Sequence, residues 1–344
     1  MSKMEELLKQ QQEIVAAIAA EYKRSREEAA QGEALAQYNL GVIYYKGQGV
    51  QQNFGEASRY FKLAAEQGNV NAQIDLGTMY EHAHGVSKDF AEAVHLYSLA
   101  VAQGSVVAHC RMGHMFEYGL GVKQDYQEAI RLYKLAAQQD YPEAQYAMGL
   151  VYENHHGVEQ DHAKAVEWYK LAAAHGHVDS HIHIGALLEN GQGLKRDHAE
   201  AMRWFMLLAV KGHAVAQINV GLMHDRGLGV KEDFVEAMRW YKLAAAQDNS
   251  DAQTKVGFMY ANGKGVPLNY AEAMRWYKLA ATHDNASALS NLGFMYDHGL
   301  GVEVDDAKAL VYYSKAAKKG DPYAIKNRDI IEARLAAQHA HKAD

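Results

Sequence analysis

The chain has one cysteine, Cys110, which excludes any internal disulfide. It has no long apolar run. The strongest, around Met206 to Val210, is far too short to span a bilayer. The opening MSKMEELLKQQQEIV is charged and rich in glutamine, and it lacks the apolar centre of a secretion signal. These absences point to a reduced, cytoplasmic setting without membrane insertion. Without a secretion signal, the glycosylation pattern Asn285-Ala286-Ser287 reads as chance. Basic runs are missing as well. Lys23, Arg24 and Arg26, or Lys318 and Lys319, are as dense as they become, and the net charge is −7. That balance argues against a nucleic-acid partner.

Recognisable chemistry is equally scarce. No G-x-x-x-x-G-K is followed by Ser or Thr, and the recurring G-x-G-V lacks the third glycine of a dinucleotide turn. No H-E-x-x-H, G-x-S-x-G or C-x-x-C occurs. No cofactor and no catalytic residue is therefore expected. The one chemical hint is a crowd of histidines: His155, His156, His162, His175, His177, His181 and His183. Of these, His175, His177 and His181 are the candidates for a metal. They fall in several columns of the repeat described next, so solvated or groove-lining histidine, with pH sensitivity toward a partner, is the stronger reading.

What the chain has is a period. Glycine recurs every 36 residues at Gly41, Gly77, Gly113, Gly149, Gly185, Gly221, Gly257 and Gly293. A second series runs through Gly49, Gly85, Gly121, Gly157, Gly193, Gly229, Gly265 and Gly301, and alanine keeps step from Ala57 through Ala93 to Ala309. A fixed period of this length marks stacked units that bury their apolar faces only against one another.

One unit shows the pattern. Ala108, Met112, Met115 and Phe116 form a helical stripe, which Gly119 and Gly121 end. Asp125 with Glu128 three residues on is a capping box, repeated as Asp89/Glu92, Asp197/Glu200 and Asp233/Glu236. The second helix turns Ala129, Leu132, Tyr133, Leu135 and Ala136 inward. Glycine inside the first helix costs roughly 0.5–1 kcal/mol relative to alanine. The offset expected is close approach of the second helix, whose aromatics stand in two columns: Trp168, Trp204, Trp240 and Trp276, then Tyr169, Phe205, Tyr241 and Tyr277.

The ends differ. Residues 3 to 30 read as one long helix, opened by Ser2, with Leu7, Ile14, Val15, Ile18 and Tyr22 as its apolar positions. In the last unit Lys315 replaces a leucine and Lys308 a capping glutamate, and a final helix follows from about Pro322 to Gln338. The fold class is all-α: a right-handed α-solenoid of eight 36-residue helix-turn-helix repeats with helical caps. The expected division is 1–32 as an N-terminal capping helix, 33–320 as the eight repeats, and 321–344 as a C-terminal capping helix and tail.

Ala144 to Tyr152, then Gly157-Val158, Asp161, Ala165, Trp168-Tyr169 and Lys170 to Ala173, resemble the Sel1-like repeat, a tetratricopeptide-like helical hairpin. The resemblance covers roughly 33–320 and implies a non-catalytic adaptor that binds a protein or peptide along a concave groove. One bacterial branch carries a disulfide in every repeat and is linked to β-lactam binding. With Cys110 alone this chain departs from it, so a hydrolase or β-lactam-binding enzyme is the disfavoured alternative. A structural spacer is the other.

Carried over from tetratricopeptide repeats, the groove is lined by helix positions three before each periodic glycine, one after it, and four and five after. The first column is Tyr38, Ile74, Cys110, Tyr146, Ile182 and Ile218; the second is Val42, His114, Leu150, Leu222, Phe258 and Phe294. Next comes an acidic column: Glu81, Glu117, Glu153, Glu189, Asp225 and Asp297. At 100° per residue these columns lie opposite the buried stripe. Two readings of the acids are open: ion pairs with Arg59, Arg131, Arg203, Arg239 and Arg275 on the second helices, or an acidic rim for a partner with apolar and basic residues.

Overall fold

A computed structural model describes residues 3–192 and 195–343. Ser2 and Gly193 lie outside the described residues, as do the side chains of Leu7, Val15 and Ile18. Among the described residues there are eighteen helices and no strand. The long α1 (Lys3–Ala30) precedes the hairpins. These are α2 (Ala34–Lys46) with α3 (Phe54–Glu66), α4 (Val70–His82) with α5 (Phe90–Ala102), α6 (Val106–Tyr118) with α7 (Tyr126–Ala137), and α8 (Pro142–Glu153) with α9 (His162–Ala174). Then come α10 (Val178–Asn190) with α11 (His198–Ala209), α12 (Ala214–Arg226) with α13 (Phe234–Ala245), α14 (Ser250–Asn262) with α15 (Tyr270–Ala281), and α16 (Ala286–His298) with α17 (Asp306–Lys318). The last is α18 (Pro322–Ala343).

The chain divides within α10 into two compact units, one up to Ser180 and one from His181. Each is an α-solenoid. In the first, every helix from α1 to α9 packs on the next. In the second, the same holds from α11 to α18, and α18 also reaches α16.

The periodic glycines explain the hairpin. A Cβ added at any of the eight would come within 2.7 Å of one ring on the partner helix. The rings are Phe61, Tyr97, Tyr133, Tyr169, Phe205, Tyr241, Tyr277 and Tyr313, none more than 2% exposed. Burying such a ring contributes roughly 1.5–3 kcal/mol, above the cost of one helical glycine. The expected contact is therefore made, and by the tyrosine/phenylalanine column. The tryptophan column lies beside it, with Trp240 buried and Trp204 half-buried.

The second glycine series serves the next junction. Gly85, Gly121, Gly157, Gly229, Gly265 and Gly301 have φ between 67° and 76°. A Cβ on them would strike the first residue of the preceding repeat's second helix: Phe54, Phe90, Tyr126, His198, Phe234 or Tyr270.

The capping boxes form only half. Asp89, Asp125, Asp197 and Asp233 accept from the backbone N–H of Glu92, Glu128, Glu200 and Glu236. Their own N–H groups already donate to carbonyls of the first helix, at Tyr80, Phe116, Leu188 and His224. No donor is left for the glutamate to reach back to. Glu128 and Glu236 pair instead with Arg131 and Arg239 one turn on.

Candidate functional site

The proposed groove face is carried by α2, α4, α6, α8 and the start of α10 in the first unit, and by the rest of α10, α12, α14 and α16 in the second. Its first column points toward the neighbouring repeat. Tyr38, Cys110, Tyr146, Ile182 and Ile218 are half-buried and Ile74 is buried. Tyr38 donates to Asp75 of the next repeat at 3.1 Å, and Tyr146 stacks on His177 with centroids 4.2 Å apart. Burial, then the Asp75 charge and hydrogen bond, push the Tyr38 hydroxyl up to about 12. The second column is more open: Val42, His114, Leu150, Leu222 and Phe294 are half-buried and Phe258 is 41% exposed.

The acidic column is not the open rim that helix geometry alone implies. The side chains of Glu81, Glu117, Asp225 and Asp297 are 8%, 5%, 13% and 8% exposed. Glu153 and Glu189 are half-buried. Each glutamate is long enough to curl back to the ring that packs on its periodic glycine. Tyr97 donates to Glu81 at 2.8 Å, Tyr133 to Glu117 at 2.6 Å, and Tyr169 to Glu153. Burial first, then the carboxylate, hold those hydroxyls far above the ordinary tyrosine range. In the fifth repeat, that of Glu189, the ring on the periodic glycine is Phe205, which has no hydroxyl to give. Asp225 and Asp297 are one methylene shorter, and the hydroxyls of Tyr241 and Tyr313 have no partner among the described residues.

The acids also tie one repeat to the next. His156 lies 2.7 Å from Glu117, His114 3.8 Å from Glu81, Lys264 3.4 Å from Asp225, and Arg334 of α18 2.8 Å from Asp297. The arginines expected to neutralise this column are engaged elsewhere. Arg59, Arg131, Arg239 and Arg275 each pair with the glutamate three residues earlier on their own helix. That partner is nearer and already oriented by the helix.

Two repeats lack an acid at this position, and both open into a cleft. In the first repeat Tyr45 stands there, and a cleft of about 280 Å³ is lined by Tyr38, Val42, Tyr45, Lys46, Phe61, Asp75 and Thr78. In the seventh Ala261 stands there, and a cleft of about 370 Å³ is walled by Phe258, Ala261, Tyr277, Asn291, Phe294 and Leu300 among others. Tyr45, Ala261 and Asn291 were not singled out in the sequence; the two gaps in the acidic column were the signal.

The candidate metal ligands have separate partners. His175 meets Gln145 at 2.9 Å, His177 meets Ser180 at 3.0 Å, and His181 packs edge-on to Trp204 at 5.5 Å. No group of three metal-ligating side chains occurs among the described residues. Burial pushes the Cys110 thiol up to about 12, far from its reactive form. No helix among the described residues is long and apolar enough to cross a membrane.

Comparison with known proteins agrees with the repeat fold. The Sel1 repeat model matches eight times, at 34–69, 70–105, 106–141, 142–177, 178–209, 214–249, 250–285 and 286–321. A crystal structure of a protective antigen of uropathogenic Escherichia coli with an SLR fold is 33% identical, at a TM-score of 0.70 over 91% of this chain and 68% of that one. A Sel1 repeat protein of Oxalobacter formigenes is 32% identical, at 0.64 over 88% of each chain. Yeast Tom70, 13% identical, shares the fold at 0.52 over 82% of this chain and 60% of that one. No curated protein matches the sequence.

Proposed function

This chain belongs to the Sel1 repeat family, whose α-solenoids typically serve as protein-interaction scaffolds, and from that premise we propose that it is a non-catalytic adaptor. It binds a peptide or protein along the groove face of its first helices. The observation that carries this reading is the cleft-bearing apolar face. Phe258 stays 41% exposed beside the Ala261 cleft, although every ring on a periodic glycine is buried. An exposed aromatic at the mouth of a cleft is the usual form of an anchor site.

The partner that fits carries apolar anchors. The acidic column, engaged internally by tyrosines, histidines and lysine, leaves charge a smaller part than apolar contact. The non-catalytic reading rests on the absence of an activated nucleophile in the sequence and on the burial of Cys110. Its setting is proposed to be cytoplasmic.

The test is capture of a partner by the intact chain, then by Phe258→Ala/Phe294→Ala, and by Leu207→Ala on the opposite helix. Loss with the first pair and retention with Leu207→Ala support the groove. Retention with both assigns recognition to another surface.

A further inference from the structure

In the second, third and fourth repeats a glutamate near the end of the first helix accepts from the ring hydroxyl on the second. The seventh repeat has no such acceptor. There Ala261 stands where Glu81, Glu117 and Glu153 stand, and Tyr277 where Tyr97, Tyr133 and Tyr169 donate. Tyr277 is 2% exposed, yet it lines the cleft, and its hydroxyl has no acceptor among the described residues. Burial alone pushes that hydroxyl up, with no carboxylate contributing. Unlike the hydroxyls of Tyr241 and Tyr313, which are sealed and unpaired, that of Tyr277 is open to the cleft and free to donate to a ligand's acceptor group.

We propose that the Ala261 cleft receives a glutamine side chain of the bound partner, whose carboxamide oxygen accepts from Tyr277 in the position that the chain's own glutamate fills in the second, third and fourth repeats. The idea rests on the groove reading above. Three observations select glutamine. Its length is that of the glutamates that reach the same hydroxyl at 2.6 and 2.8 Å. The cleft, about 370 Å³, has room for it, with Phe258 and Phe294 to cover the methylenes and Asn291 on the wall.

Charge excludes the acid. Thirty-nine residues on, where Glu117 has His156 and Asp225 has Lys264, the seventh repeat has Leu300. Lys264 lies 5.9 Å over the Phe258 ring but is paired with Asp225, and His298, against Phe294, is paired with Asp297. A carboxylate entering this cleft would be buried without a counter-charge, which is strongly unfavourable.

The test is methyl NMR of the full chain, following Ala261, Met295 and Leu300. The probes are N-acetylglutamine methylamide and its glutamate and norleucine counterparts. The glutamine probe is expected to shift these methyls and to bind severalfold more tightly than the other two. Tyr277→Phe should weaken it about two- to tenfold, the worth of one hydrogen bond, and leave norleucine unchanged. Ala261→Gln, which fills the cleft from within, should abolish the shifts. It should also raise the melting temperature in a way that Tyr277→Phe cancels.

Equal binding of the three probes, indifference to Tyr277→Phe, or no localised shift would overturn the proposal. Because the probes need no partner, that failure is distinct from failure of the groove. A partner still lost with Phe258→Ala/Phe294→Ala would keep the groove and discard the glutamine.

Discussion

The hydroxyl of Tyr133 donates to Glu117 at 2.6 Å, while the ring that carries it covers Gly113 so closely that no side chain fits there. One residue thus closes its hairpin by packing and satisfies a buried carboxylate by hydrogen bonding. His156 of the following repeat takes the other carboxylate oxygen at 2.7 Å.

Replacing the carboxylate tests that relationship. Glu117→Gln keeps an acceptor for Tyr133 and should melt close to the parent. Glu117→Ala strands the hydroxyl and should cost about 1–3 kcal/mol. Chemical denaturation separates the two; equal stability would mean that the bond contributes nothing.

Gly149→Leu should also destabilise. Its Cβ would overlap Tyr169, which is fully buried, and overpacking costs typically about 1–3 kcal/mol. A melting curve unchanged by this substitution would sink the close-approach account of the periodic glycines.

Asp75 gives a pH dependence. Desolvation raises its pKa from 3.8, against the opposing effects of the Tyr38 hydrogen bond, Lys46 and Arg111. A raised carboxyl favours the folded state while protonated. Its contribution is complete below the unfolded value and lost as pH rises through the folded one. Asp75→Asn should therefore raise the melting temperature at neutral pH, with the gain closing below about pH 4. A gain that is constant across that range, or a loss at neutral pH, would contradict it.

Cys110 offers a chemical handle on opening. With its pKa near 12, little thiolate exists at pH 8, about 8 being a common labelling pH. Iodoacetamide should modify the native chain far more slowly than the denatured one. Native labelling at the rate of an unfolded thiol would show that α6 is open to solvent.

Much of this molecule was legible in its sequence, because a repeat writes its contacts at fixed spacing. The glycine columns, the eight hairpins and the close approach of an aromatic to each glycine follow from period and helix geometry; which of the two aromatic columns makes that contact does not. The acidic column did not. A helical wheel places Glu117 by the direction of its Cβ, but its carboxylate lies several bonds away, and that reach returns it to Tyr133. The same blindness hid the arginine partners, since Arg131 is satisfied by Glu128 on its own helix. The capping boxes failed in part for a different reason: the amide of Asp125 was already taken by Phe116, a contact between elements that a local motif does not encode.

The second glycine series sets a rule for how such a chain can change length. Gly121 touches the start of the preceding second helix at Phe90, and Gly265 does the same at Phe234. At each of the six described seams the glycine meets a residue of the adjoining repeat, at equivalent points of the period. Excising one whole 36-residue period brings together two halves that already fit. Excising 35 or 37 residues leaves a glycine facing the wrong atom, and the error stays at that seam. The unit of inheritance for this architecture is thus the period, and its grammar allows insertion and deletion only in whole words.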